Sequence, residues 1–211
     1  MIHPGPFFFR AAFLCSLLTI SVRAYPTPAE ARDFMVHTQK TLSALLRKPS
    51  TSSRRQQMTK EIKNILDYDE LTRRAFGQPC PRRRKCTDHW KTLKKPQKKE
   101  IRELLAKLIE KNYKKNLKKI LDYDVIYKEI STKGDVIKIR TEARSKLKRR
   151  EPPVQIDYMV RQGSKGYQII DVVTEGSVLT KNYYDQFHRM LTDPKKGYPS
   201  IVRKLNQKIR E

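Results

Sequence analysis

Glycine is scarce in this sequence, and the motifs that usually carry catalysis are missing. Only 7 glycines occur in 211 residues, which argues against glycine-rich phosphate-binding loops. The sequence contains no Gly-x-Ser-x-Gly elbow, Walker loop, dinucleotide fingerprint or His-Glu-x-x-His motif. No histidine has an obvious catalytic companion, either a carboxylate or a nucleophile, at local spacing. We therefore expect a protein that is not an enzyme and that needs no cofactor and no metal ion.

Long hydrophobic runs are also scarce, and the longest lies near the N-terminus. Residues 11–22 are largely apolar and follow Arg10, and Val22 and Ala24 occupy the two positions that signal peptidase recognises. The run is short for a retained membrane helix, which is the alternative. We predict a signal peptide over residues 1–24, a single domain over 25–211 and an exported, periplasmic protein.

Cysteine is limited to 3 residues, of which Cys15 lies inside the predicted signal. Cys80 and Cys86 remain, and in an oxidising compartment they can form a disulfide. Closing so short a loop stabilises by only about 2 kcal/mol. The alternative is a metal site with His89, but structural zinc takes four ligands and no fourth is evident. We predict the disulfide.

Acidic residues are few, with 22 Asp and Glu against 47 Lys and Arg, for a net charge of +25. Lysine pairs recur through residues 94–119, and Lys146-Leu147-Lys148-Arg149-Arg150 adds a basic cluster. So large a positive charge attracts anionic membranes, nucleic acid and acidic polysaccharide. The alternative is that the lysines and arginines simply keep the surface solvated. For an exported protein an anionic membrane surface is the nearest partner, and we expect no nucleic acid.

The first half of the chain has helical periodicity. Thr27-Pro28-Ala29-Glu30 predicts a helix start, with apolar positions continuing to about Arg47. A second helix follows around residues 58–66, and Asp67 begins a short third one that Gly77 ends. The strongest helix opens at Pro96 and runs for about 25 residues, or about 37 Å. We expect it to bend or break near Tyr113 or Asn116.

The periodicity then changes to the alternation of strands. We predict four strands, over residues 125–130, 136–147, 154–160 and 167–173, joined by hairpin turns. Gly163-Ser164-Lys165-Gly166 has the look of a phosphate loop, but it joins two strands and is a turn. Ser177 is expected to cap a further helix, and residues 198–209 form the last one. The fold class is α+β, with helices covering one face of a curved antiparallel sheet.

Two parts of the sequence resemble a known family. The first is Asp67-Tyr68-Asp69-Glu70-Leu71-Thr72-Arg73-Arg74-Ala75-Phe76-Gly77, followed by Trp90 and the long helix. The second combines Tyr167-Gln168-Ile169-Ile170-Asp171-Val172-Val173-Thr174-Glu175-Gly176 with Asn182-Tyr183-Tyr184-Asp185-Gln186-Phe187. Together they resemble MlaC-type proteins, the toluene-tolerance auxiliary family of phospholipid ABC transport systems. Tyr167 and Tyr184 stand where family members usually have Trp and Arg.

The resemblance implies a periplasmic carrier that shuttles phospholipid between an outer-membrane lipoprotein complex and an inner-membrane ABC transporter. It implies an apolar cavity between sheet and helices for the acyl chains. Each apolar residue could equally belong to an ordinary core, because periodicity does not distinguish a filled interior from a hollow one. With the resemblance deciding between them, the expected lipid-binding residues are Phe34, Leu105, Ile109, Tyr113, Ile139, Tyr158, Val160, Ile169, Val173, Leu179, Tyr183 and Phe187. A secreted basic module that binds nucleic acid or acidic polysaccharide is the alternative function.

Overall fold

The structure, a computed structural model, describes residues 27–49, 51–80 and 86–211, with only the backbone of residues 116–120. The predicted signal peptide and the basic run 82–85 lie outside the described residues. The described part contains seven helices and one five-stranded sheet. The helices are α1 (Pro28–Arg47), α2 (Ser52–Ile65), α3 (Tyr68–Ala75), α4 (His89–Thr92), α5 (Lys95–Ile120), α6 (Leu179–Thr192) and α7 (Tyr198–Arg210). The strands are β1 (Tyr123–Lys133), β2 (Val136–Ser145), β3 (Val154–Gly163), β4 (Gly166–Thr174) and β5 (Ser177–Val178).

The predicted helix starts in the first half are confirmed by their caps. Thr27 accepts from the Glu30 backbone N–H at 3.2 Å, and the Glu30 carboxylate accepts from the Thr27 N–H at 3.3 Å. Asp67 caps α3 by accepting from the Glu70 N–H at 2.9 Å. Each cap satisfies N–H groups that the first turn of a helix leaves without partners.

Helix α5 is the central helix of the helical layer, because α1, α2, α3 and α7 all pack against it. It runs as one helix of 26 residues, so a break near Tyr113 or Asn116 is wrong. Its apolar stripe, which includes Ile101, Leu105 and Leu108, is buried in the main hydrophobic core. None of the described helices is long and apolar enough to cross a bilayer.

The sheet is an antiparallel meander in the order β1-β2-β3-β4-β5. The predicted count of four strands is one short, because β5 has only two residues and gives no periodic pattern. Ser177 lies in β5 and does not cap α6, whose N-cap residue is Val178 without a side-chain bond.

Two bulges change which side chains face the helices. The β1–β2 register shifts between Tyr127 and Ile130. The β3–β4 register shifts so that Met159 pairs with Asp171 and Val160 with Ile169, leaving Ile170 as an extra residue. Because side chains alternate along a strand, each extra residue moves the following positions to the opposite face.

Candidate functional site

A cavity of about 640 Å³ lies between the inner face of the sheet and helices α1, α5 and α6. Its volume falls within the range of about 300–1,000 Å³ that small-molecule sites occupy. The helical wall consists of Met35, Thr38, Gln39, Leu42, Ile109, Asn112, Tyr113, Leu179, Asn182 and Tyr183. The sheet wall consists of Tyr123, Val125, Tyr127, Ala143, Val154, Ile156, Tyr158, Ile169, Val172, Thr174 and Ser177.

The cavity wall carries no charged side chain. Among its described lining residues there is no Asp, Glu, Lys, Arg or His, and the only titratable groups are tyrosines. Burial raises the pKa of Tyr158 to about 12. Burial also raises the pKa of Tyr113 and Tyr127, with smaller contributions from neighbouring tyrosines. These phenols therefore stay neutral at physiological pH, in a protein with a net charge of +25.

Several polar groups of the wall are paired with each other. The Tyr127 hydroxyl donates to Gln39 Oε1 at 2.9 Å, joining β1 to α1. The Tyr183 hydroxyl is hydrogen-bonded to Asn112, joining α6 to α5. Polar groups that are satisfied within the wall leave the remaining surface suited to apolar ligands.

The cavity has a buried floor and a polar mouth. Met35, Leu42 and Ile169, deep in the wall, are nearly inaccessible to solvent. The exposed lining residues are Asn112, Thr174, Ser177 and Asn182. They lie where β4 ends, β5 crosses and α6 begins, beside the second half of α5. An elongated apolar ligand with a polar end would place that end here.

The structure brings half of the expected lipid-binding residues to this wall. They are Ile109, Tyr113, Tyr158, Ile169, Leu179 and Tyr183. They come from α5, β3, β4 and α6, elements that are far apart in the sequence. Their shared position is what a ligand site between sheet and helices requires.

Five other expected residues lie away from the cavity wall. Leu105, Ile139, Val160 and Phe187 are fully buried in the solid core. The Phe187 ring packs on the Phe76 ring at a centroid distance of 5.0 Å. Phe34 is partly buried, with its ring 6.1 Å from the Tyr167 ring. Periodicity identified these positions as apolar and inward, and the packing of neighbouring side chains fills the space around them.

Val173 lies on the face of the sheet opposite the cavity, and Val172 takes the expected position. Val173 pairs with Asp157, which is on the outer face with Lys138 at 2.6 Å and Arg140 at 3.3 Å. The cause is the bulge at Ile170, which reverses the alternation between Ile169 and the end of β4. Strict alternation along β4 therefore places Val173 on the cavity side, whereas the structure has Val172 there.

The sequence analysis named Phe34 on α1 but none of the α1 and β1 residues that line the cavity. Met35, Thr38, Gln39 and Leu42 form one stripe of α1 at helical spacing. Tyr123, Val125 and Tyr127 alternate along β1, which begins two residues before the predicted strand. The alternation of these three residues was the available signal.

A second cavity, of about 630 Å³, lies between α2, α3, α5 and the β3–β4 turn. Its wall contains ionic side chains, including Asp69, Arg102 and Glu110. Asp69 pairs with Arg102, and Asp67 pairs with Arg161 at 3.3 Å. A wall of charged and paired groups does not suit an acyl chain, which sets the two cavities apart despite their similar size.

The cysteine prediction is confirmed, because Cys80 and Cys86 form a disulfide. His89 is paired elsewhere, because its Nε2 lies 2.8 Å from His188 Nδ1 on α6. Within the described residues no group of three or more His, Cys, Asp or Glu side chains is arranged to hold a metal ion.

Comparisons with known proteins agree with this architecture. The family model described as MlaC protein matches residues 36–207. A solved structure of similar fold is the phospholipid-binding protein from Ralstonia solanacearum in complex with a phospholipid. It is 18% identical to this chain, with a TM-score of 0.66 over 88% of this chain and 98% of that one. A comparison with curated protein sequences finds no match.

Proposed function

Because this chain belongs to the MlaC family, we propose that it is a phospholipid carrier that holds acyl chains in the cavity between sheet and helices. The observation that carries the proposal is the uncharged wall of a cavity of about 640 Å³. The fold shared with a phospholipid-binding protein supports it.

The energetics of lipid transfer explain why such a wall is needed. Each methylene exposed to water costs about 0.8 kcal/mol, so a sixteen-carbon chain costs roughly 12 kcal/mol. A carrier must therefore cover nearly the whole tail. Buried residues such as Leu42, Ile109 and Ile169 supply that cover, while exposed Asn112 and Asn182 leave a polar end in contact with water.

The cellular setting forms part of the same proposal. Residues 1–24 would direct export and residues 25–211 would act as one lipid-binding domain in the periplasm. The Cys80–Cys86 disulfide suits an oxidising compartment. There the protein would pass phospholipid between an outer-membrane lipoprotein complex and an inner-membrane ABC transporter.

Mass spectrometry of organic extracts tests the proposal directly. Protein purified without detergent should release phospholipid, and emptied protein should take it up on mixing with vesicles. If the protein neither released phospholipid nor took it up, the carrier function would be rejected.

A matched pair of variants assigns the lipid to the cavity. Val172→Trp puts an indole into the cavity and should remove most of the co-purified phospholipid. Val173→Trp places the same group on the opposite face and should retain it. Thermal unfolding of both variants checks that they are folded, and equal lipid loss from both would argue against this cavity.

A further inference from the structure

The loop between β2 and β3 presents an exposed leucine within a basic cluster. Leu147 is 84% exposed, the highest exposure among the large hydrophobic residues of the described chain. Lys146, Lys148, Arg149 and Arg150 surround it in sequence, and all four are exposed. A single exposed leucine is ordinary on a protein surface. Here it is surrounded by four cationic side chains, so the same loop offers both an apolar group and positive charge.

The loop is an ordered turn and not a free tail. The Lys148 N–H donates to Ser145 Oγ at 3.0 Å, and the Glu151 N–H donates to the Lys148 carbonyl at 3.1 Å. The Lys148 ammonium also pairs with Glu151 at 2.8 Å. These bonds fix the base of the turn, so that Leu147 points outward from a defined support.

The two arginines carry the available charge of the loop. Lys146 lies 3.6 Å from Asp124 and donates to the Leu121 carbonyl at 2.9 Å, which engages it locally. Arg149 and Arg150 have no ion pair with any residue that the structure describes. Their guanidinium groups are therefore free to bind phosphate oxygens, to which they are geometrically suited.

Each end of the loop lies beside a residue that lines the cavity, at the end of the sheet where β4 also ends. Ser145 pairs with Tyr123 across the β1–β2 ladder, and Val154 begins β3 directly after the loop. Tyr123 and Val154 both line the cavity. The Lys146 N–H donates to the Asp122 carbonyl at 2.9 Å, which holds the turn beside the start of β1.

We propose that loop 146–153 docks the protein on anionic phospholipid bilayers, with Leu147 in the interfacial layer and Arg149 and Arg150 on lipid phosphates. The inference rests on the proposed carrier function, because docking at this end holds the cavity mouth against the source of its ligand. An apolar side chain with basic neighbours is the usual composition of an interfacial anchor. Nucleic acid would engage the arginines but offers no apolar layer for the leucine.

Vesicle sedimentation at low salt tests the docking step. The chain should bind phosphatidylcholine vesicles containing phosphatidylglycerol and should bind pure phosphatidylcholine vesicles much more weakly. Each basic residue at an anionic surface contributes about fivefold, so Arg149→Ser/Arg150→Ser should weaken binding by about 25-fold. Leu147→Ser should weaken it by roughly three- to tenfold through lost apolar burial.

The control removes the same charge at the far end of the sheet. Lys133→Ser/Lys165→Ser changes exposed lysines at the β1–β2 and β3–β4 turns, and it should bind vesicles as the parent does. Equal losses from the control and the arginine pair would show that net charge alone is responsible and would overturn the proposal. Loss of DNA binding by the arginine pair with unchanged vesicle binding would also overturn it.

Lipid delivery by two routes separates this inference from the carrier function. Fluorescent phospholipid supplied from cyclodextrin should load the loop variants as it loads the parent, because the cavity is intact. Loading from anionic vesicles should be slower for the loop variants only. No loading by either route would reject the carrier function, whereas unimpaired loading of the loop variants from vesicles would reject the docking loop alone.

Discussion

Tyrosines give the cavity polar groups without giving it charge. Tyr113, Tyr127 and Tyr158 all lie on the wall, and burial raises the pKa of each. A neutral phenol has a large apolar ring and one hydroxyl that can find a partner, as Tyr127 does on Gln39. The cavity therefore remains uncharged inside a strongly basic protein.

Two histidines outside the cavity wall, His89 and His188, are in contact, and this contact makes stability depend on pH. His89 Nε2 and His188 Nδ1 are 2.8 Å apart, which requires one of these nitrogens to be unprotonated. Burial lowers the pKa of His89 below the ordinary value of 6.5, His188 lowers it further, and Asp88 opposes the shift. The unfolded chain therefore binds a proton at higher pH than the folded chain.

The sign of the resulting pH dependence follows from that difference. The contribution of His89 to the free energy of unfolding should be fully present above pH 6.5 and should be lost progressively as the pH falls below it. His89→Gln should flatten this part of the profile, measured by urea unfolding at several pH values. His37→Gln, on the exposed face of α1, is the control, and an unchanged slope in His89→Gln would contradict the prediction.

Among the elements, α6 depends on a cap from another part of the chain. Its own N-cap, Val178, provides no side-chain acceptor. Asp171 on β4 accepts from the Thr180 N–H at 3.2 Å, from the Thr180 hydroxyl at 2.5 Å and from the Val172 N–H at 2.9 Å. This buried carboxylate therefore ties the first turn of α6 to β4.

Removing that carboxylate should destabilise the whole domain. Asp171→Ala leaves buried donors without an acceptor and should cost about 2–3 kcal/mol in the free energy of unfolding. Asp171→Asn retains an acceptor oxygen and should cost less. Asp185→Ala, which breaks only the exposed pair with Lys181 on the same helix, should cost about 0.3–0.5 kcal/mol. Urea unfolding measures all three, and equal losses would contradict the capping role.

Elements whose signals are local could be predicted from the sequence. The caps at Thr27 and Asp67 and the turn at Gly163–Gly166 were placed correctly because neighbouring residues determine them. The bulge at Ile170 and the cap from Asp171 involve partners on other strands or helices, which periodicity does not report. Whether inward apolar residues leave a space depends on the distance between layers, so Ile139 and Tyr158 looked alike in the sequence although only Tyr158 lines the cavity.

Across the whole molecule, 47 Lys and Arg against 22 Asp and Glu give a net charge of +25, whereas the described wall of the cavity between sheet and helices carries no charge. Repulsion among so many like charges destabilises the compact state. Screening lengths fall from about 30 Å at 0.01 M salt to about 8 Å at 0.15 M. The midpoint of thermal unfolding should therefore rise as sodium chloride is added over this range, and calorimetry that shows a constant or falling midpoint would contradict this.

The cavity lies between α1 and α6, two helices that are far apart in the sequence. This position links the folding of the domain to the formation of the cavity. The helical wall is complete only when α1 and α6 have both packed over β1–β4. A bound lipid tail would then act as the final layer of the interior, bridging segments more than a hundred residues apart. Lipid binding would then stabilise the native state, and the empty protein would be the less stable of the two forms.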